Sequence, residues 1–146
     1  LEYRRDIPEV KTLNYVTPIR MLPKLKEMKA DDFLYYDQGL ISESSRSNVF
    51  IVKNERIFTP KTAVLPGITR MHLIAKCGGL FELEQRAVTL TETLAADEVF
   101  VTRSSQRIQA VTQIDDRIFN QGKTGKVTKK LQEWMMKEEL TLQDAY

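Results

Sequence analysis

The most informative stretch of this sequence is Leu65-Pro66-Gly67-Ile68-Thr69-Arg70. Its glycine marks a turn, and the residues from Thr69 onward are typical of a helix that ends at Gly78. A turn that leads into a helix presents free backbone N–H groups and a positive dipole end to an anion. The stretch therefore predicts either a phosphate site or a plain tight loop in which Thr69 caps the helix.

The residues before this turn predict strands, in three segments rich in aromatic and β-branched side chains: residues 33–36, 48–52 and 56–59. The last two are separated by three residues and predict a hairpin, and Gln38-Gly39 predicts a turn. Between the strands, residues 41–48 (ISESSRSN) place small polar side chains around Glu43. This segment is interpreted as a loop, suited to a ligand or simply to solvent.

The flanking segments complete a mixed pattern of helices and strands. An N-terminal helix is predicted over residues 14–29, with a kink or a break at Pro23. After the turn come a strand at 81–88, a short helix at 90–95, strands at 99–102 and 108–114, and an amphipathic helix at 127–140. Without a linker or an internal repeat, the sequence predicts one mixed α/β domain over residues 1–146.

Composition narrows the possible functions. The 22 basic and 20 acidic residues give a net charge of +2, which does not favour nucleic acid as a partner. No segment has the roughly 20 apolar residues that a membrane span needs, and no leader is evident, so a cytoplasmic protein without a membrane partner is expected. A single cysteine, Cys77, and a single histidine, His72, provide neither a disulfide nor a conventional metal site.

Five motifs occur in order along almost the whole chain: KTLNY at 11–15, GLISE at 39–43 followed by SNVF at 47–50, LPGITR at 65–70, DEVF at 97–100, and GKVTKKLQ at 125–132. Together they resemble the motifs of fold type IV pyridoxal-phosphate (PLP) enzymes, which include branched-chain and D-amino-acid aminotransferases and aminodeoxychorismate lyases. The resemblance implies the large, C-terminal domain of this fold, a mixed α/β (α+β) unit whose strands form a pseudo-barrel with flanking helices. The family's small N-terminal domain is expected to be absent from this chain.

The resemblance also implies roles around the cofactor ring. Lys11 would bond covalently to PLP and then move a proton as catalytic base and acid. Glu43 would face the pyridine nitrogen and keep it protonated. Tyr15 would lie beside the phenolate oxygen, although a core tyrosine on the helix face is an equally good interpretation of that residue.

The phosphate of PLP is expected at the glycine turn. By resemblance, Gly67 forms the turn, Ile68 and Thr69 donate backbone N–H groups, and Thr69 adds its hydroxyl. Ser104 would supply a second hydroxyl from another turn. Ser47 and Asn48 are interpreted as residues that line the pocket or fix a loop.

Arg103 departs from the family pattern, because the second turn usually carries small residues there. A guanidinium at this position predicts contact with a carboxylate of the substrate, and Ser105 is predicted to contact the substrate beside it. The expected substrate range is therefore acidic or otherwise altered.

The function implied by the resemblance is transamination between an amino acid and a 2-oxo acid, in the manner of branched-chain aminotransferases. A homodimer is expected, and the isolated domain is expected to be inactive because the N-terminal domain supplies part of the pocket. Three alternatives stay open: an aminodeoxychorismate lyase that leads to 4-aminobenzoate, a non-catalytic remnant of the same fold, and a phosphate-sensing module that uses the Gly67 turn without PLP.

Overall fold

The computed structural model describes residues 1–143, and side chains as far as Thr141. Four α-helices are present: α1 (Val16–Glu27), α2 (Ile68–Lys76), α3 (Leu90–Leu94) and α4 (Lys126–Gln143). The strands are β1 (Leu34–Asp37), β2 (Leu40–Ser44), β3 (Asn48–Lys53), β4 (Arg56–Pro60), β5 (Leu83–Arg86), β6 (Glu98–Arg103), β7 (Arg107–Val111), β8 (Gln113–Ile114) and β9 (Arg117–Ile118). None of the helices in this range is long and apolar enough to cross a membrane.

Strand β3 is the centre of a seven-stranded sheet. It pairs antiparallel with β4 and β6, and it meets β2 where Glu43 lies opposite Asn48. β5 joins β4 in parallel, and β7 extends the sheet from β6. The mixed α/β class is confirmed, and the sheet is not closed into a complete barrel.

Two tight turns set the register of the hairpins. Gln38 and Gly39 connect β1 to β2 with φ of 48° and 78°, and Asn54 and Glu55 connect β3 to β4 with φ of 50° and 61°. Two successive residues with positive φ are typical of the turn whose twist matches that of the flanking strands. The predicted hairpin at residues 48–59 is therefore confirmed, with a connection of two residues.

The sheet buries a hydrophobic layer on each face. On one face Phe50 and Phe100 stack at 4.9 Å between ring centroids and pack with residues of α2 and α4, including Leu73 and Leu131. The opposite face buries a second cluster: Ile41, Val49, Ile51, Val88, Ala96, Val99 and Phe119. The candidate functional site lies on the face that carries Phe50.

Of the two outcomes predicted for Pro23, a kink or a break, the structure excludes the break in helix α1. The helix runs from Val16 to Glu27 as one element with Pro23 inside it, and it is not split there. The missing N–H of Pro23 leaves the carbonyl of Ile19 without its helical partner, but both residues are exposed, so water can bond to that carbonyl. Leu25 is the only buried residue of α1.

Two other segments correct the sequence interpretation. Residues 41–48 are not simply a loop, because Leu40–Ser44 forms strand β2. Its polar composition hid the strand, since Glu43 and Ser44 are buried by tertiary contacts that no local pattern reveals. The predicted strand at 108–114 is divided into β7 and β8, and β8 turns through Asp115 (φ 47°) to pair with β9.

The first turn of helix α4 bonds to a buried carboxylate of the sheet, that of Glu98 in β6. Glu98 accepts hydrogen bonds from the N–H groups of Val127 (2.9 Å) and Thr128 (2.8 Å) and from the Thr128 hydroxyl (2.7 Å). The negative charge also complements the helix dipole. A β-carbon on Gly125 would lie 2.0 Å from the Glu98 carboxyl carbon, so this approach requires glycine.

We predict that Glu98→Ala lowers the free energy of unfolding by about 2–4 kcal/mol, because two buried N–H groups lose their acceptor. Urea unfolding measures this. Glu82→Ala is the matched control: its carboxylate bonds to Arg56 on the surface with 76% of the side chain exposed, and about 0–1 kcal/mol is expected. Equal losses in the two variants would contradict the role assigned to Glu98.

Candidate functional site

Three buried polar residues lie side by side across the sheet. Glu43 of β2 is opposite Asn48 of β3, and Asn48 is opposite Thr102 of β6. Their exposed fractions are 4%, 4% and 2%. Directly opposed residues point to the same face of a sheet, so the three form one polar row, which continues the apolar layer of Phe50 and Phe100. Buried polar groups in such a row need hydrogen-bond partners.

The Glu43 carboxylate has two partners from distant parts of the chain. Its Oε1 accepts from Nη1 of Arg5 at 2.9 Å, and its Oε2 accepts from the N–H of Leu65 at 3.0 Å. Arg5 also donates from Nη2 to the carbonyl of Val10 at 2.9 Å. Glu43 therefore joins the N-terminal segment to the glycine turn.

Asn48 bonds to the other polar group of the Leu65 backbone, its carbonyl. Its Nδ2 donates to the carbonyl of Leu65 at 2.8 Å, so the N–H and the C=O of Leu65 are both bonded to the polar row. The amide oxygen of Asn48 lies 2.4 Å from the position that a β-carbon on Gly67 would take. Glycine is required at position 67 by this close approach, since its φ of −63° is open to any residue.

Helix α2 begins at this turn with its N–H groups uncapped. Gly67 is the N-cap residue, and no side chain in the described part of the chain caps the helix. The prediction that Thr69 caps the helix is wrong, because the helix starts at Ile68 and Thr69 already lies in its first turn. The first-turn N–H groups have no partner within a helix and suit an anion. Thr69 is buried, whereas Ile68 is 75% exposed.

Arg70 adds a buried cation to the same helix turn. Its Nη2 donates to the carbonyl of Pro60 at 2.8 Å and to Oε1 of Gln85 at 3.2 Å, which ties α2 to β4 and β5. Burial lowers the pKa of this guanidinium, but arginine stays charged in proteins. Sequence reasoning assigned no role to Arg70, although its place in the LPGITR stretch was a signal.

Tyr35 is a second residue that sequence reasoning missed. It is 1% exposed, and its hydroxyl has no hydrogen-bond partner within the described residues. Burial raises the pKa of Tyr35, and the nearby charges of Asp32 and Glu43 raise it further. The phenol is therefore a neutral donor in the neighbourhood of Glu43.

The β6–β7 turn holds the other predicted contacts. Arg103 bonds to the side-chain oxygens of Gln106 and Gln109, and the carbonyl of Ser104 accepts from Arg107. Ser104 and Ser105 are exposed. Because side chains alternate along a strand, Arg103 lies on the sheet face opposite to that of Thr102. The structure thus directs Arg103 away from the polar row and places the two serines at the strand end.

Lys11 lies on an exposed stretch of chain between the first residues and α1. The carbonyl of Val10, immediately before it, is the group that Arg5 holds. Tyr15 is the N-cap residue of α1 and is 38% exposed. By direct contacts the structure brings together Glu43, Asn48 and the 65–70 turn, and it attaches the Lys11 segment to them through Arg5.

Comparison with known proteins identifies the family. The family model for amino-transferase class IV matches residues 1–114. The chain belongs to the class IV aminotransferases. It is 36% identical over 128 residues to a D-alanine aminotransferase of Bacillus licheniformis, a match that covers 85% of this chain and 45% of that protein. The chain thus spans less than half the length of this relative.

Two solved structures of the family share the fold. A putative 4-amino-4-deoxychorismate lyase from Legionella pneumophila superposes with a TM-score of 0.86 at 28% identity, over 94% of this chain and 53% of that one. The branched-chain amino acid aminotransferase from Escherichia coli gives a TM-score of 0.77 at 30% identity, over 84% of this chain and 43% of that one. The class IV likeness includes both aminotransferase and lyase relatives.

We predict that Gly67→Ala destabilises the protein by about 1–3 kcal/mol, because the new methyl group displaces the Asn48 amide and breaks its bond to Leu65. Gly78→Ala is the control, since a β-carbon there meets nothing within 4 Å. Thermal or urea unfolding compares the two. A Gly67→Ala protein as stable as the control would show that the turn does not depend on this close approach.

Proposed function

We propose that this chain is the cofactor-carrying part of a PLP-dependent aminotransferase that acts on an amino acid and a 2-oxo acid. The observation that carries the proposal is the buried Glu43 carboxylate, bonded to the turn from which helix α2 starts uncapped. A carboxylate and a helix start, held together, match the two charged ends of PLP: a protonated ring nitrogen and a phosphate.

The donor set fits this cofactor. A carboxylate offers about four acceptor positions, and Glu43 uses one for Arg5 and one for Leu65, so it can still accept a ring N–H. Ile68 and Thr69 offer first-turn N–H groups to a phosphate, and the glycine at position 67 keeps the turn close to the sheet. Thr102 contributes a buried hydroxyl without a partner in the described residues, in the same polar row.

When bound, PLP supplies a carbonyl carbon that bonds to amines and a ring that accepts electrons from the substrate. In the proposal, Lys11 would hold PLP covalently through its Nζ. Once the substrate amine has taken its place, the freed Nζ would move a proton to and from the substrate's α-carbon. Glu43 would accept a hydrogen bond from the protonated ring nitrogen and so keep the proton there, and Tyr15 is assigned to the phenolate side of the ring. Ser104 and Ser105, at the end of β6, are assigned to phosphate and substrate.

The chain spans less than half of its D-alanine aminotransferase relative, so catalysis requires testing apart from cofactor binding. We expect specific PLP binding by this chain and little turnover from it alone, because residues outside it complete the substrate pocket in the family. A homodimer, which the resemblance predicts, and a cytoplasmic location, which the sequence composition predicts, belong to the same proposal.

The first test is a covalent one. After incubation with PLP and reduction with borohydride, peptide mass analysis is expected to place the pyridoxyl group on Lys11. Lys11→Ala should remove the adduct, whereas Lys24→Ala, on the exposed side of α1, should leave it unchanged. Labelling spread evenly over surface lysines would refute a specific site and favour the non-catalytic alternative.

The lyase is a second candidate, favoured by the TM-score of 0.86 to the Legionella protein. The two reactions are separated by their products. With aminodeoxychorismate a lyase releases pyruvate and 4-aminobenzoate, whereas an aminotransferase converts a 2-oxo acid to an amino acid. Both products are measured on one preparation under single-turnover conditions, since little repeated turnover is expected from this chain alone.

Substitution of Arg103 tests the prediction that the substrate is acidic. In the structure Arg103 faces away from the polar row and bonds to Gln106 and Gln109, so a role in substrate binding requires its guanidinium to turn toward the site. If it does, Arg103→Ala weakens binding of a dicarboxylic amino acid at least about tenfold while binding of PLP stays within about twofold, because a guanidinium pairs with a carboxylate. Arg56→Ala is the control, because Arg56 lies at the start of another strand and pairs with Glu82 on the surface. Binding is followed by the absorbance change of the PLP-loaded protein. Equal loss of PLP and amino acid, or no loss of either, would contradict the assignment.

A further inference from the structure

Arg5 makes two contacts that join separate parts of the candidate site. Its Nη1 bonds to Oε1 of Glu43, and its Nη2 bonds to the carbonyl of Val10, both at 2.9 Å. That carbonyl belongs to the peptide group that connects Val10 to Lys11. One guanidinium therefore links the Lys11 backbone to the carboxylate that is assigned to the cofactor ring.

The environment of this pair differs from that of a surface ion pair. The Arg5 side chain is 22% exposed and that of Glu43 is 6% exposed. A planar guanidinium can donate in two fixed directions at once, whereas a lysine ammonium on a flexible stem acts as a point charge. Both contacts therefore depend on arginine, and charge alone does not replace it.

The neighbouring residue shows the contrast. Arg4 reaches Asp37 at 3.7 Å with 65% of its side chain exposed, and its partner is 44% exposed. Pairs of this kind contribute little because water and salt screen them. Arg4 provides a control of the same residue type at the adjacent position.

We infer that Arg5 is a positioning residue: it holds the segment that bears Lys11 in a fixed place relative to Glu43, so that amine and carboxylate act on one bound cofactor. The inference rests on the proposed function. Without this link the Lys11 segment would be held mainly by local turns, such as the bond from the N–H of Val10 to the carbonyl of Ile7 at 3.2 Å. A reacting group placed about 1 Å away from its position can lose about a hundredfold in rate.

The first experiment needs no cofactor. Hydrogen exchange of the Val10 amide, whose N–H bonds to the carbonyl of Ile7, is compared in wild type, Arg5→Met and Arg4→Met. We expect exchange at least about tenfold faster in Arg5→Met, and within about twofold of wild type in Arg4→Met. Urea unfolding confirms that each variant is folded, and Arg5→Lys replaces Arg5→Met if the latter is not.

The second experiment separates covalent reaction from binding. Pyridoxine 5'-phosphate lacks the aldehyde, so its affinity measures the ring and phosphate contacts alone. The rate of borohydride-trapped adduct formation on Lys11 at saturating PLP measures the placement of the amine. Arg5→Lys is expected to bind pyridoxine 5'-phosphate within about threefold of wild type but to form the adduct at least about tenfold more slowly.

The outcomes distinguish the two hypotheses. A Lys11 adduct that forms equally fast in wild type, Arg5→Lys and Arg5→Met would overturn the role of Arg5 and leave the proposed function standing. Adduct formation and pyridoxine 5'-phosphate affinity that fall together by the same factor would make Arg5 a structural residue and overturn the inference as well. Absence of any specific Lys11 adduct in wild type would overturn the proposed function itself.

Discussion

The two hydrogen bonds to Leu65 are the constraint on which the candidate site depends. Glu43 accepts from its N–H and Asn48 donates to its carbonyl, so two adjacent strands fix one residue of the turn from both sides. The turn then places Gly67 against the side chain of Asn48, and helix α2 begins one residue later. The sheet therefore sets the position of the helix start, and with it the direction of the first-turn N–H groups. A loop held only by its own contacts would lack that fixed direction.

The burial of the Glu43 carboxylate is energetically acceptable only because the carboxylate has hydrogen-bond partners. Moving a carboxylate into an apolar interior costs several kcal/mol unless it is paired and hydrogen-bonded. Arg5 and Leu65 provide a charge and a backbone donor, and both are distant in sequence from Glu43. An apolar residue of similar size would fill the space without needing these partners, so the polar row does not follow from packing. A ligand that binds this row only in the folded state would stabilise the fold by mass action.

Much of the fold was predictable because its signals are local. The 48–59 hairpin, the helix after Gly67 and the last helix follow from side-chain periodicity and turn residues, and the motif order indicated the family. Strand β2 was missed because Glu43 and Ser44 look like solvated residues until their neighbours are known. The contact of Arg5 with Glu43 spans 38 positions and has no local signature. The side of the sheet on which the Arg103 side chain lies depends on the register of β6, and the sequence around Thr102 does not indicate that register.

Charge at the start of α2 gives a separate physical reason for an anion there. The helix dipole places a partial positive charge at this end, and the first turn contains no acidic residue to offset it. Arg70 adds a full positive charge in the same turn, is 6% exposed, and has the neutral acceptors Pro60 and Gln85 as its contacts in the described chain. A cation next to the positive end of a helix is unfavourable by itself. An anion at the helix start would interact favourably with both positive charges, so electrostatics supports the proposed phosphate site independently of motif resemblance.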